Sequence, residues 1–232
     1  MIRTITEENV PLASGDHLTR DEFMRRWEAH PEIKHAELID GIAYLSERVS
    51  VEHGEMHGAV GGWLGVYRTF TPGTASGNNS TLCFLDDVAQ PDTNLRILPE
   101  CDGRSWVEEK YLHGSPELLA EICLSSASYD LHTKLKSYQA SRIPEYLAVL
   151  LYEEEIRWHV LVDGRYQLLP PDPDRIWRSR VFPGLWLDGA ALLKGNMTQV
   201  LARLQDGLNS PEHNRFVEDL GRRRQTKASA SS

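Results

Sequence analysis

The run SPELLAEICL, residues 115–124, has the apolar content of a buried strand and carries an acid, Glu121, at its centre. A carboxylate placed there loses hydration that an apolar interior does not replace, so any fold this chain adopts must give Glu121 a partner. Lys134 follows 13 residues later, in the first turns of LHTKLKSYQASR, where Leu131, Leu135 and Tyr138 share one helical face. Pro144 follows that helix, and EYLAVLLYE reads as another inner strand. Strand, helix and strand in succession point to an α/β fold.

The other segments extend this arrangement. Residues 1–17 read as a loose lead-in. Thr19-Arg20-Asp21-Glu22 fits a capping box before a short helix whose apolar face holds Phe23, Met24 and Trp27. HAELIDGIAYLSERVS reads as a hairpin, with Leu38, Ile42, Tyr44 and Val49 as strand formers and Asp40-Gly41 as its tight turn. Met56, Val60, Trp63, Leu64 and Tyr67 recur at helical spacing and predict a helix over 54–70. Its five glycines, each costing about 1 kcal/mol against alanine, imply a neighbour packed close to it.

Short strands are predicted at 80–85 and 91–98, and a loop over 99–116. IRWHVLV and RYQLL form a hairpin across Asp163-Gly164, and Pro170-Pro171-Asp172-Pro173 is a rigid turn. RSRVFPGLWLD is a late strand and ALLKGNMTQVLARLQDG a helix. From Pro211 a polar helix leads into the tail GRRRQTKASASS, which is expected to be disordered. No internal repeat is evident. The expectation is one α/β domain over 18–208 on a central mixed sheet, with 209–232 as a C-terminal helix and tail.

Composition narrows the function classes. With 41% hydrophobic and 25% charged residues the chain has the make-up of a globular protein. No run of about 18 apolar residues suggests a membrane span, and MIRTITEENVPLASGDH lacks the apolar core of an export signal. Cys83, Cys101 and Cys123 are odd in number and form no CxxC pair, as expected of reduced thiols in the cytoplasm. A net charge of −9 counts against nonspecific coating of nucleic acid, which needs lysine and arginine to replace counterions. It leaves room for a local basic groove, or for a site where metal ions offset acids.

Asp92 opens one predicted strand and Glu121 lies within another. If those strands are neighbours the two carboxylates converge, and convergent carboxylates are reconciled by a shared proton or a divalent cation. Mg²⁺ suits such a pair, because it takes one or two carboxylates, keeps several waters and accepts phosphate oxygens. A lysine beside it can orient a water or steady charge on a phosphate.

The ordered set ELIDG, VEHGEMHG, QPDTNLRIL, PELLAEI, SYDLHTKLKSYQASRIPEY and VFPGLWLDGAALL resembles the Uma-type restriction endonuclease family, within the PD-(D/E)xK nuclease superfamily. The similarity runs over roughly residues 18–195. It implies a restriction-endonuclease-like fold, a central mixed β-sheet flanked by helices with added β-hairpins. Pro91-Asp92 would be the PD pair, with Asp92 a metal ligand. Glu121 would hold the same metal, with the backbone carbonyl of Ile122 as a further ligand. Cys123 stands where the superfamily places its lysine; the family's displaced lysine on the next helix matches Lys134. Glu37 matches an early acid that completes the metal shell. The implied activity is Mg²⁺- or Mn²⁺-dependent cleavage of DNA, and cutting both strands would call for a homodimer.

Plainer roles compete for the same residues. Glu121 can serve as a salt-bridge partner of Lys134 or Arg142, and Lys134 can pair with Asp130 at i,i+4 spacing. Asp130 suits a helix N-cap better than a catalytic role. Tyr138 fits the core, with its hydroxyl free to reach the site. His53 and His57 lie at i,i+4 spacing, as in zinc proteases. Gly54 stands where those enzymes carry a glutamate, however, and no third ligand is evident, so a place near phosphate or at the helix end fits better. Ser125, Ser126 and Ser128 shape a strand-to-helix turn, and Arg222, Arg223 and Arg224 read as a solvated tail. An inactive nuclease-fold protein that binds nucleic acid or protein, and a hydrolase of other phosphate esters, are the alternatives.

Overall fold

The computed structural model describes residues 10–46, 50–123 and 129–230. Much of the lead-in, Val49, the serines at 125, 126 and 128, and the side chain of Asp130 lie outside what is described. Thr19 caps α1 (Arg20–Ala29) by accepting the Glu22 N–H, and Phe23 is buried beneath it. β1 (Ala36–Ile39) and β2 (Ile42–Leu45) pair across Asp40 and Gly41, whose φ values of 53° and 72° suit those two residues. α2 (Val51–Phe70) starts earlier than its apolar periodicity suggests, because the Ser50 hydroxyl accepts the His53 N–H. Among its glycines, a Cβ on Gly61 would lie 3.1 Å from Asn78, while Gly54, Gly58, Gly62 and Gly65 have nothing within 4 Å. Close packing therefore accounts for one glycine and not for the rest.

β3 (Thr74–Asn78), β4 (Leu82–Phe84), β5 (Asp87–Ala89) and β6 (Thr93–Ile97) follow. The segment expected to be a loop over 99–116 instead holds a hairpin, β7 (Ser105–Glu108) and β8 (Tyr111–Gly114). Trp106 and Val107 stay exposed on it, so no alternation of apolar and polar residues betrays the strand. β9 (Leu118–Cys123), a wide π-helical turn (Tyr129–Lys134), α3 (Leu135–Ala140) and β10 (Glu145–Leu150) realise the strand–helix–strand reading. β11 (Glu155–Val162) and β12 (Arg165–Leu168) form the hairpin across Asp163 and Gly164.

Three late readings need correction. RSRVFPGLWLD is not one strand: β13 (Ile176–Arg178) pairs with β14 (Trp186–Asp188), and the chain between them turns back at Gly184, φ 85°. The single helix expected after it is two, α4 (Gly189–Leu193) and α5 (Met197–Leu208), split at Gly195, φ 68°, with Asn196 capping the second. The tail expected to be disordered is helical through Ala230, as part of α6 (Pro211–Ala230). Leu220 anchors that helix in the core, and Lys227 donates to the Pro99 carbonyl at 2.6 Å.

The strands make two six-stranded mixed sheets, β2-β1-β5-β4-β8-β7 and β12-β11-β10-β9-β6-β3, with parallel pairs at β4–β8 and β9–β10. One face of β9 (Leu118, Ala120, Ile122) packs with Trp63, Tyr67 and Trp158 in a core covered by α2 and α5. The other face (Leu119, Cys123) joins Ile39, Phe84, Tyr138 and Tyr146 in a layer between the two sheets. Period-two alternation thus sends Glu121 into that inter-sheet layer. Among the described residues no helix is long and apolar enough to cross a membrane.

Candidate active site

The register of the second sheet sets the centre. β6 pairs with β9 through Thr93 opposite Ala120, which places Asp92 beside Glu121 one step further out. The two lock to each other's backbone: Asp92 N–H donates to Glu121 Oε2 at 3.3 Å, and Ile122 N–H donates to Asp92 Oδ2 at 2.7 Å. On the first sheet, Glu37 of β1 turns into the same layer and accepts the Gln90 N–H at 2.8 Å. Lys134 closes the group from the end of the π-helical turn. Its Nζ lies 2.9 Å from Glu121 Oε1 and 3.0 Å from Glu37 Oε1, with the residue 4% exposed. The Tyr138 hydroxyl donates to the same Glu121 Oε1 at 2.9 Å.

Four elements far apart in sequence therefore deliver Glu37, Asp92, Glu121 and Lys134 to one point. The salt bridge between Glu121 and Lys134 does form, and it forms inside this cluster. Cys123, at the superfamily's lysine position, is buried on the same face of β9. Ile122 meets Asp92 through its N–H.

The first turns of α2 place the histidine pair near the centre, as one sequence reading had it, and supply the third partner that the sequence did not show. His53 Nε2 lies 3.3 Å from Asp92 Oδ2, and the rings of His53 and His57 have centroids 6.2 Å apart. One donor atom from each of His53, His57 and Asp92 lies within 4.8 Å of the others. The i,i+4 histidine pair was visible in HGEMH. Its third partner sits on β6, and only the packing of α2 against that strand brings it near. Burial works to raise the Asp92 carboxyl, but the His53 hydrogen bond and charge, the Ile122 N–H and the His57 charge hold it below the usual carboxylate range.

This donor set suits a divalent cation. Separations of 3.3 Å between Asp92 and His53 match neighbouring ligands on one ion at about 2.0–2.2 Å. His57 Nε2 is buried without a hydrogen-bond partner among the described residues, as expected of a ligand atom facing an ion site. Two carboxylates on one ammonium, with the Asp92 carboxylate beside them, also leave excess negative charge that a cation would balance. The arrangement offers a cation site beside a fixed ammonium, at one end of a layer lined by both sheets.

The comparisons agree with this picture. A family model, Uma2, described as "Putative restriction endonuclease", matches residues 20–190. Among solved structures, one described as a "putative nuclease belonging to DUF820" from Anabaena variabilis superposes with a TM-score of 0.56 at 13% identity, covering 76% of this chain and 99% of that one. At that identity the match speaks for the fold. No curated protein matches the chain.

Proposed function

The chain belongs to the Uma2 family, and on that premise we propose that it is a metal-dependent endonuclease hydrolysing DNA phosphodiester bonds. The observation that carries the proposal is the convergence of Glu37 and Glu121 on the buried ammonium of Lys134, with Asp92 held against Glu121. A binding protein has no need to bury two acids on one lysine with a third acid beside them, since breaking any such pair strands a charge. In this reading Asp92 and Glu121, with the Ile122 carbonyl, hold Mg²⁺ or Mn²⁺, and His53 and His57 extend the donor set. A bound divalent cation would supply charge neutralisation for the scissile phosphate.

The chain's own groups do the rest. Lys134 is fixed between Glu37 and Glu121, so its ammonium is held at the centre without further loss of side-chain freedom. It orients the attacking water and steadies charge on the phosphoryl oxygens. The water oxygen bonds to phosphorus in line as the P–O3′ bond breaks. The water's proton leaves, the 3′ oxygen gains one, and the products are a 5′ phosphate and a 3′ hydroxyl. Tyr138 positions Glu121 through its hydrogen bond. Cutting both strands takes two such centres, so a homodimer is the working assembly in this proposal.

The test is cleavage of plasmid and single-stranded DNA with Mg²⁺ or Mn²⁺, wild type beside Asp92→Ala and Lys134→Ala. Cutting that needs metal and disappears in both variants is the expected result. Wild-type protein that neither cuts DNA nor binds Mn²⁺ would favour the inactive nuclease-fold reading instead.

A further inference from the structure

A second polar cavity adjoins the proposed centre. It has a volume of about 470 Å³ and is walled by β3 and the turn after it, by β6 and by the β7–β8 hairpin. Asn79, Ser80 and Asn94 offer amide and hydroxyl groups to it, and Arg96 and Lys110 offer positive charge. No acidic side chain lines it among the described residues, although the chain as a whole carries a net charge of −9. Such a wall is unusual here and calls for an anionic occupant.

Arg96 is the strongest sign. It is half-buried, and it makes no hydrogen bond or ion pair among the described residues. Glu117, the acid that acts on it most strongly, is already engaged by the N–H groups of Ile97 and Arg104. Lys110, by contrast, is tied to Glu28 at 3.2 Å, so it guards the rim. A guanidinium taken partly out of water with no partner costs stability, unless an anion comes to meet it.

The cavity is joined to the centre by short links. Asn79 N–H donates to the Asp92 carbonyl at 3.0 Å. Gln90 donates from its side chain to Thr81 Oγ1 at 3.3 Å and from its backbone to Glu37. Asn94 and Arg96 have the same parity along β6, so they face the same side. Four residues of strand put Arg96 about 13 Å from Asp92, a span of a few nucleotides.

We propose that this cavity binds a nucleotide of the substrate strand a few positions from the scissile bond, with Arg96 on its phosphate and Asn79 and Asn94 on its base edge. The inference rests on the nuclease reading for its choice of ligand. Arg is suited to phosphate through its planar fork of donors, and asparagine amides pair with base edges.

The test is binding of a short labelled oligonucleotide in EDTA, where no cleavage occurs, across a range of salt. Arg96→Ala removes the cation. Asn79→Asp adds a carboxylate without disturbing the turn, because Asn79 has φ 48°, a conformation Asp also tolerates. Thermal melts show whether each variant is folded. Each is expected to weaken binding about tenfold, and Arg96→Ala to lower the salt slope by about one. Wild-type affinity in both folded variants would overturn the inference and leave the nuclease reading intact if cleavage persists. Binding of pyrophosphate but not of oligonucleotide would also overturn it, in favour of a free-phosphate site. Loss of cleavage in Asp92→Ala judges the nuclease reading separately.

Discussion

Glu121 and Glu145 lie on neighbouring parallel strands, β9 and β10, and both are closed off from solvent, at 4% and 0% exposure. Their surroundings differ. Glu145 accepts from the Ser179 hydroxyl at 2.7 Å and from the N–H groups of Arg180 and Val181 at 2.6 and 3.3 Å. No cation reaches it among the described residues, and burial pushes its pKa up to about 7 despite those donors. Glu121 accepts instead from the Lys134 ammonium, the Tyr138 hydroxyl and the Asp92 N–H. Glu145 sits at the start of its strand and pins the loop before Gly184. Glu121 sits toward the carboxyl end of β9, the end at which open α/β sheets bind ligands. A buried acid saturated by uncharged loop donors holds structure together. A buried acid that shares a lysine with a second carboxylate and lies beside a third is suited to chemistry.

This contrast can be broken by substitution. The largest expected effect is on cleavage: Asp92→Ala and Glu121→Gln should each lower the rate about a thousandfold or more, while Glu145→Gln leaves it unchanged. Equal losses in all three would erase the distinction.

Next in size is Lys134→Met, which leaves Glu37 and Glu121 buried without their shared cation. Urea unfolding should report a loss of about 3–5 kcal/mol, recovered in part when Glu37→Gln is added. An unchanged midpoint would mean the ammonium is not needed for folding.

Glu145→Gln should act in the opposite direction. Between pH 4.5 and about 7 the unfolded chain releases this proton while the folded one keeps it, so stability falls across that window and stays low above it. The substitution removes the penalty, raising stability by up to about 3 kcal/mol at pH 8 and little at pH 4. Melting curves at the two pH values check the sign.

The smallest effect sharpens the edge of the site. His57→Ala should weaken Mn²⁺ binding about tenfold with the fold unchanged, as loss of one imidazole donor. Calorimetric titration that finds equal affinity would remove His57 from the donor set.

Much of the centre was legible because local signals marked it. The acid inside SPELLAEICL, the helical lysine after it and Asp92 at a strand start are each visible within a short window, and the family resemblance linked them. The β7–β8 hairpin was hidden because Trp106 and Val107 of β7 both stay exposed, leaving no alternation to read there. The split of α4 from α5 turned on the backbone angle of Gly195, which a periodic apolar pattern runs straight through. The partnership of His57 with Asp92 joins residues 35 positions apart through helix packing, and no spacing rule encodes it.

The most direct test sets Mn²⁺-dependent plasmid cleavage by wild type beside Asp92→Ala, Glu121→Gln and Glu145→Gln, with each variant's fold verified by melting. Cleavage lost in the first two variants and kept in Glu145→Gln is the expected result. Cleavage that survives Asp92→Ala or Glu121→Gln would contradict the assignment of the active centre.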